Sequence, residues 1–300
     1  MELDFNVQAL DKVVVEAGGE LANRDLMSPY VWKLDKGGFA MMVRGVPREG
    51  APASDTGMIW YGESDDGLTF IMEEAPILAP TPNGPDAGGC EDPTLVVDDG
   101  RWIVYYTGVD AAHQTGQMFY ATGTGPHDLT KQGIALASSK TEGNTKEATI
   151  AKTPQGQWRL FYEFARDNAS LVGLALGDGV AGPWHEQPQP FAPRPECWDG
   201  WHLSTGPMLT EHPDVQIMFY NGATQDARWR IGWVAFDKDC KNVVDRCIEP
   251  LIVPPPRPER AMIDIAFAAS CVMIATDISH LYYSVGDREL ERAIVKSYRQ

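Results

Sequence analysis

Residues 90–108 read CEDPTLVVDDGRWIVYYTG. An acidic pair, Glu91-Asp92, precedes Pro93 and a β-branched run. Asp99-Gly100 follows, and a second apolar run ends in Tyr105-Tyr106. Asp-Gly between two β-rich runs signals a tight hairpin, because its central residues must both take positive φ. The same pattern returns four times. Residues 24–45 read RDLMSPYVWKLDKGGFAMMVRG and residues 146–164 read KEATIAKTPQGQWRLFYEF, with Gln155-Gly156 as turn. Residues 202–222 read HLSTGPMLTEHPDVQIMFYNG and residues 264–287 read DIAFAASCVMIATDISHLYYSVGD. Taking Asp25, Asp92, Glu147, His202 and Asp264 as the starts, the copies lie 55 to 67 residues apart.

A further strand pattern follows each of the first four hairpins, at 57–70, 116–125, 170–179 and 228–237. That makes three or four antiparallel strands per repeat. Residues 8–19, QALDKVVVEAGG, are the best helix candidate and carry little 3.6-residue periodicity. Five such sheets in 300 residues imply an all-β chain, a five-bladed β-propeller formed as a single domain over 1–300. In that architecture the first strand of each repeat lines the channel, and the five starting residues converge on its mouth. Met41, Met42, Tyr105, Tyr106, Tyr220 and Tyr283 read as blade core.

The composition narrows the function. The net charge of −17 opposes phosphate backbones and anionic headgroups, so nucleic acid and membrane surfaces are not expected partners. No run approaches the roughly 20 apolar residues of a membrane span, and residues 1–7 do not read as a signal peptide. The expected location is the cytoplasm. The five cysteines are scattered without CxxC spacing, so neither a metal nor another cofactor is expected. Nothing in the sequence bears on oligomeric state. Among the 9 tryptophans, Trp198 and Trp201 in the WDGW segment offer faces on which a sugar ring can stack.

Several of these segments resemble one family. The EDP segment, the block CWDGWHLSTGPMLTEHPDVQIMFYNGA, the stretch RWRIGWVAFDKDCKNVVDRCIEPLIVPP and the strand HLYYSVGDRELERAIV are similar, in that order, to segments of β-mannoside phosphorylases and β-mannosidases, glycoside hydrolase family 130. The likeness runs from about Asp25 to Val295. It implies a five-bladed propeller acting on an oligosaccharide. In the wider group of propeller glycosidases, which includes arabinofuranosidases, xylosidases and fructosidases, an Asp of the first blade, an Asp-Pro of the second and a Glu of the third form the catalytic set. Asp25, Asp92-Pro93 and Glu147 stand at those places.

Glycoside cleavage needs one carboxyl to protonate the leaving oxygen and a second to activate water or attack carbon. Asp92 is the first candidate for the acid, with Glu147, Glu163 and Asp25 completing the catalytic set. Glu163 lies between aromatics in LFYEF, where a carboxyl is out of place unless it faces a cavity. Arg44, Glu91, Lys146, Asp199, His202, Asn221, Asp264 and Asp287 are the candidates for holding substrate. The departures from the family pattern matter as well. Thr94 stands where the resemblance implies an Arg, Asn221 where it implies a His, and Glu163 where it implies an Arg that only Arg166 would replace. Phosphate needs cations, and a carboxylate beside it repels it. The sequence therefore reads as a glycoside hydrolase acting on small oligosaccharides, with β-mannosides as the implied class. The alternatives are a β-mannoside phosphorylase, an arabinofuranosidase- or xylosidase-like hydrolase, or a sugar-binding propeller without catalysis.

Overall fold

The computed structural model describes residues 3–52, 55–139, 141–209, 215–255 and 264–299. Among these residues there is no α-helix; one short 3₁₀ turn, Leu21–Asn23, precedes the first blade. No helix is long and apolar enough to cross a membrane. Residues 8–19 are not helical. Residues 8–12 and 14–16 belong to the strands Leu3–Lys12 and Val14–Glu16, and the Val13-Val14-Val15 run suits extended backbone better than a helix.

The strands form five antiparallel blades. Blade I holds Arg24–Lys33, Phe39–Pro47, Met58–Ser64 and Thr69–Met72, with Val14–Glu16 added in parallel at its outer edge. Blade II runs from Gly89–Asp98 to Thr130–Leu136, and blade III from Gly143–Lys152 to Trp184–Gln187. Blade IV is split into an upper sheet, His202–Ser204 with Asn221–Ala223 and Trp229–Ile231, and a lower one that begins at Met208–Leu209. Blade V consists of Ala266–Ala275, Ile278–Val285 and Glu289–Arg299, completed by the N-terminal strand Leu3–Lys12. That last pairing joins the two ends of the chain and covers an edge that would otherwise be open. The inner strand of each blade packs on the next, and that of blade V packs on that of blade I, so the ring closes at five. The expected core residues Met41, Met42, Tyr105, Tyr106, Tyr220 and Tyr283 are all buried in it.

Polar ties run around the channel. Tyr30 donates to the Leu95 carbonyl at 2.8 Å, Thr94 to that of Ala148 at 2.7 Å, Thr149 to that of Gly206 at 2.9 Å, and Ser270 to that of Pro29 at 2.7 Å. Asn221 closes the remaining step. Its amide nitrogen donates to the carbonyls of Thr205 at 2.6 Å and Ala268 at 3.2 Å, and its oxygen accepts from the Ala268 amide at 2.7 Å.

These ties also correct the alignment of the repeats. Thr94, Thr149 and Ser270 are equivalent by their bonds, which places Ser28, Asp92, Glu147, Thr205 and Ala268 in one ring. The backbone agrees: Ser28, Asp92 and Glu147 share the left-handed conformation, with φ of 52°, 50° and 55°, each at a register shift of its inner strand. Asp25, His202 and Asp264 are therefore not the counterparts of Asp92 and Glu147. They stand three or four residues earlier, about 10–13 Å nearer the rim.

Replacing Asn221 with Ala leaves three buried backbone groups without their partner. Asn221→Ala is expected to lose about 3 kcal/mol or more of stability, read as a lower midpoint in chemical denaturation. An unchanged midpoint would remove the clasp from the account of ring closure.

Candidate active site

The ring of left-handed kinks forms the floor of a funnel. A β-bulge twists its strand and re-aims a side chain, and a left-handed kink in each of three neighbouring inner strands presents Ser28, Asp92 and Glu147 to the same cavity. The cavity has a volume of about 910 Å³, at the upper end of the ordinary range for ligand pockets. A separate, much smaller space of about 80 Å³ lies farther down the channel beside Thr94, Thr149 and Ser270. The polar ring stands between the two.

Charged groups interlock at the floor. Arg44, from the second strand of blade I, contacts Glu91 at 2.5 Å and Asp92 at 3.1 Å. Ser28 donates to the same Asp92 oxygen at 2.8 Å. Lys146 reaches Glu163 at 3.4 Å, and Glu163 is 3% exposed. Burial disfavours every charge here, and the neighbours decide the outcome. For Arg44, burial is outweighed by Glu91, Asp92, Glu147 and Asp287, and the guanidinium is held protonated. Lys146 is likewise held protonated, first by Glu163 and against burial.

The two acids of the ring diverge. For Asp92, burial pushes the pKa up, but Arg44, Lys146 and the Ser28 and Thr107 hydroxyls pull it further down, and the carboxyl lies below its ordinary value. For Glu147, burial and the charge of Asp92 push the pKa well above its ordinary value, against Lys146 and Arg44. Equivalent backbone positions on adjacent blades thus hold two carboxyls whose pKa values are driven in opposite directions. A pair of carboxyls driven apart in this way marks the acid and the base of a site.

Of the residues expected from sequence, Asp25, Arg44, Asp92, Lys146, Glu147, Glu163 and Asp287 line the cavity, and Glu91 joins them through Arg44. Asp25 sits at the mouth, 3.4 Å from Arg48 and 3.5 Å from Arg288. Asp264 pairs with Arg228 at 2.8 Å and does not line the cavity. His202 accepts a hydrogen bond at Nδ1 from the Ser170 amide at 3.1 Å, and its ring lies 5.5 Å from that of Trp229. Two expectations are corrected. Asp199 is fully buried, held by Arg194, Arg246 and the Tyr220 hydroxyl, and Asn221 is the blade clasp described above. Both are too thoroughly engaged and enclosed to meet a ligand. Neither Trp198 nor Trp201 lines the cavity. Trp198 stacks on Tyr220 at 5.4 Å and donates to the Ile248 carbonyl, while Trp201 donates to that of Asn168. The cavity wall is made instead by Trp229 and Phe267.

Sequence reading missed Ser28, Trp229 and Phe267. Ser28-Pro29 repeats the residue-Pro step of Asp92-Pro93 and was a usable signal. Nothing in RWRIGW distinguishes Trp229 from a core residue. The positions read against phosphate are also located. Thr94 faces the lower channel as a tie, and Arg166 is engaged by Glu142 at 3.2 Å and Gln189 at 2.6 Å. Among the described residues, no group of three or more His, Cys, Asp or Glu is placed to hold a metal ion.

The family described as beta-1,4-mannooligosaccharide phosphorylase, glycoside hydrolase 130, matches residues 47–295. A 1,2-beta-oligomannan phosphorylase from Thermoanaerobacter sp. (strain X514) is 23% identical over 239 residues, covering 79% of this chain and 77% of that protein. A beta-1,2-mannobiose phosphorylase from Listeria innocua, solved with beta-1,2-mannobiose, superposes with a TM-score of 0.75 at 16% identity, over 96% of this chain and 91% of the other. A structure described with glycoside hydrolases of the same family that target beta-1,2 mannosidic linkages in Candida mannan superposes with a TM-score of 0.74 at 22% identity, over 90% and 84%.

The divergence of the two acids predicts opposite stability profiles. The Asp92 contribution is present above the unfolded carboxyl pKa, about 3.9, and is lost as pH falls through the lower folded value. The Glu147 contribution is present below about 4.3 and is lost as pH rises through the higher folded value. Denaturation midpoints should therefore show Glu147→Gln gaining on the wild type as pH rises from about 4.5 to 8. Asp92→Asn should fall short at neutral pH and recover towards pH 3. Parallel profiles for the two variants would contradict the assignment.

Proposed function

Because this chain belongs to glycoside hydrolase family 130, we propose that it cleaves the glycosidic bond of small β-mannosides by carboxylate acid–base catalysis, with water as the acceptor. Glu147 is the proton donor. Its neutral carboxyl gives a proton to the glycosidic oxygen, which leaves as a hydroxyl with the bonding pair. Water forms the new bond at the anomeric carbon and loses its proton to the Asp92 carboxylate. Arg44 and Ser28 hold Asp92 in position and ionised. This reverses the expectation that Asp92 donates the proton, because its cationic surroundings leave it none to give at neutral pH.

The observation that carries the choice of water is the charge of the cavity wall. Six carboxyl side chains line it against three cations, Arg44, Lys146 and Arg288. Each of these cations already faces a carboxylate within 3.5 Å. A phosphate dianion entering this field is repelled by the carboxylates and finds no cation without a carboxylate partner, whereas water carries no such penalty. The second reading is phosphorolysis. It is favoured by the names of the family and of the Thermoanaerobacter relatives. It uses the same acid and differs only in the nucleophile.

The readings separate in one assay. Mannobioses of β-1,2 and β-1,4 linkage, incubated in phosphate-free buffer, are expected to yield mannose at a rate that added phosphate does not raise. Formation of mannose 1-phosphate, with turnover dependent on phosphate, would establish the second reading. In either case Glu147→Gln should lower kcat by about 10²–10⁴-fold. It should lower it much less on β-mannosyl fluoride, whose leaving group needs no proton.

A further inference from the structure

Opposite the charged floor, the funnel has an aromatic wall that the mechanism does not use. Trp229 faces the cavity from the outer strand of the upper sheet of blade IV. It pairs with Ala223, and Ala223 pairs with His202. Trp229 therefore stands at the height of His202, three residues above Thr205 in the floor ring.

Its setting is rigid. The Trp229 amide donates to the Asp264 carbonyl at 3.0 Å, and a parallel bridge joins Trp229 to Ile265. Its ring contacts two others. His202 is 5.5 Å away at 31°, and Phe267 is 5.4 Å away edge-on. The His202 ring is fixed in turn by the Ser170 amide. An indole fixed by two ring contacts and lining a polar cavity is pre-organised to receive an apolar ring face. The C–H face of a pyranose supplies one.

The space below the floor, about 80 Å³, is too small for a sugar ring, so substrate enters and leaves by the mouth. The ring that undergoes attack must reach the carboxyls at the floor. The rest of the substrate then extends past Trp229 towards the rim. We infer that Trp229, in contact with His202 and Phe267, is the stacking platform for the sugar on the leaving-group side of the cleaved bond. This rests on the mannoside reading above and adds to it which ring is bound where.

The test compares Trp229→Ala, Trp229→Phe and wild type on two substrates. One is the mannobiose that the wild type cleaves; the other is β-mannosyl fluoride, which places no sugar beside Trp229. Trp229→Ala should lower kcat/KM on mannobiose about tenfold or more, as loss of a stacked ring implies, mainly through KM. It should stay within about twofold of wild type on the fluoride, and Trp229→Phe should recover most of the loss on mannobiose. Equal losses on both substrates, or no loss on mannobiose, would overturn the inference while leaving the mannoside reading intact. A wild type inert on both substrates would overturn the mannoside reading, and the inference with it.

Discussion

The hydrogen bond from Thr94 to the Ala148 carbonyl, repeated in kind around the channel, is the contact on which the funnel depends. A propeller blade is a small sheet that cannot bury both faces alone. Hydrophobic packing between blades supplies most of the stability, but it is non-directional and does not by itself set the height of one blade against the next. The polar ties do. Each ties a side chain of one inner strand to a backbone carbonyl of the neighbouring one, at 2.7 to 2.9 Å for Tyr30, Thr94, Thr149 and Ser270. In blades I to III the residue two positions before the donor is the one in the left-handed conformation. The device that sets the register of the ring thus also sets the height at which Ser28, Asp92 and Glu147 meet.

The left-handed backbone has an energetic meaning of its own. Asp tolerates positive φ better than most side chains, whereas a Glu there is uncommon. A conformation of this kind costs of order 1–3 kcal/mol and persists only when its surroundings over-determine it. At Glu147 the surroundings are specific: the Thr205 hydroxyl donates to its carbonyl, and the following carbonyl takes the Thr94 tie. The strain is therefore held by blades II and IV, on either side of the blade that carries Glu147.

The fold was legible in the sequence because its signals are local. Asp99-Gly100 takes positive φ at both residues, at 49° and 75°, and the hairpin could be read from two letters. The alignment of the repeats was less legible, because acidity was taken as the marker of equivalence. Asp25 is acidic yet belongs to the rim, while its true counterpart in blade I is Ser28, which carries no charge to attract notice. Asp199 and Asn221 misled for a related reason. A buried carboxylate held by two arginines and an amide clasping backbone look the same in sequence as ligand-binding groups, since only the third dimension shows that their partners are already satisfied. Glu163 was legible because a carboxylate among aromatics has to be explained. Trp229 was not, because Trp in a strand is ordinarily core.

The assignment of acid and base follows from asymmetry around a nearly symmetric ring. Five equivalent positions carry Ser28, Asp92, Glu147, Thr205 and Ala268, and only two can ionise. Arg44 reaches Asp92 directly, at 3.1 Å. Lys146, the cation adjoining Glu147, is drawn to Glu163 instead. By engaging Lys146, Glu163 leaves Glu147 with less cationic support than Asp92 receives, and the Glu147 pKa is pushed up while that of Asp92 is drawn down. The same pairing leaves Lys146 committed to a carboxylate rather than to an incoming anion. One ion pair, set by where a single carboxylate stands in LFYEF, thus bears both on which ring carboxyl is the more readily protonated and on how an incoming anion would meet Lys146.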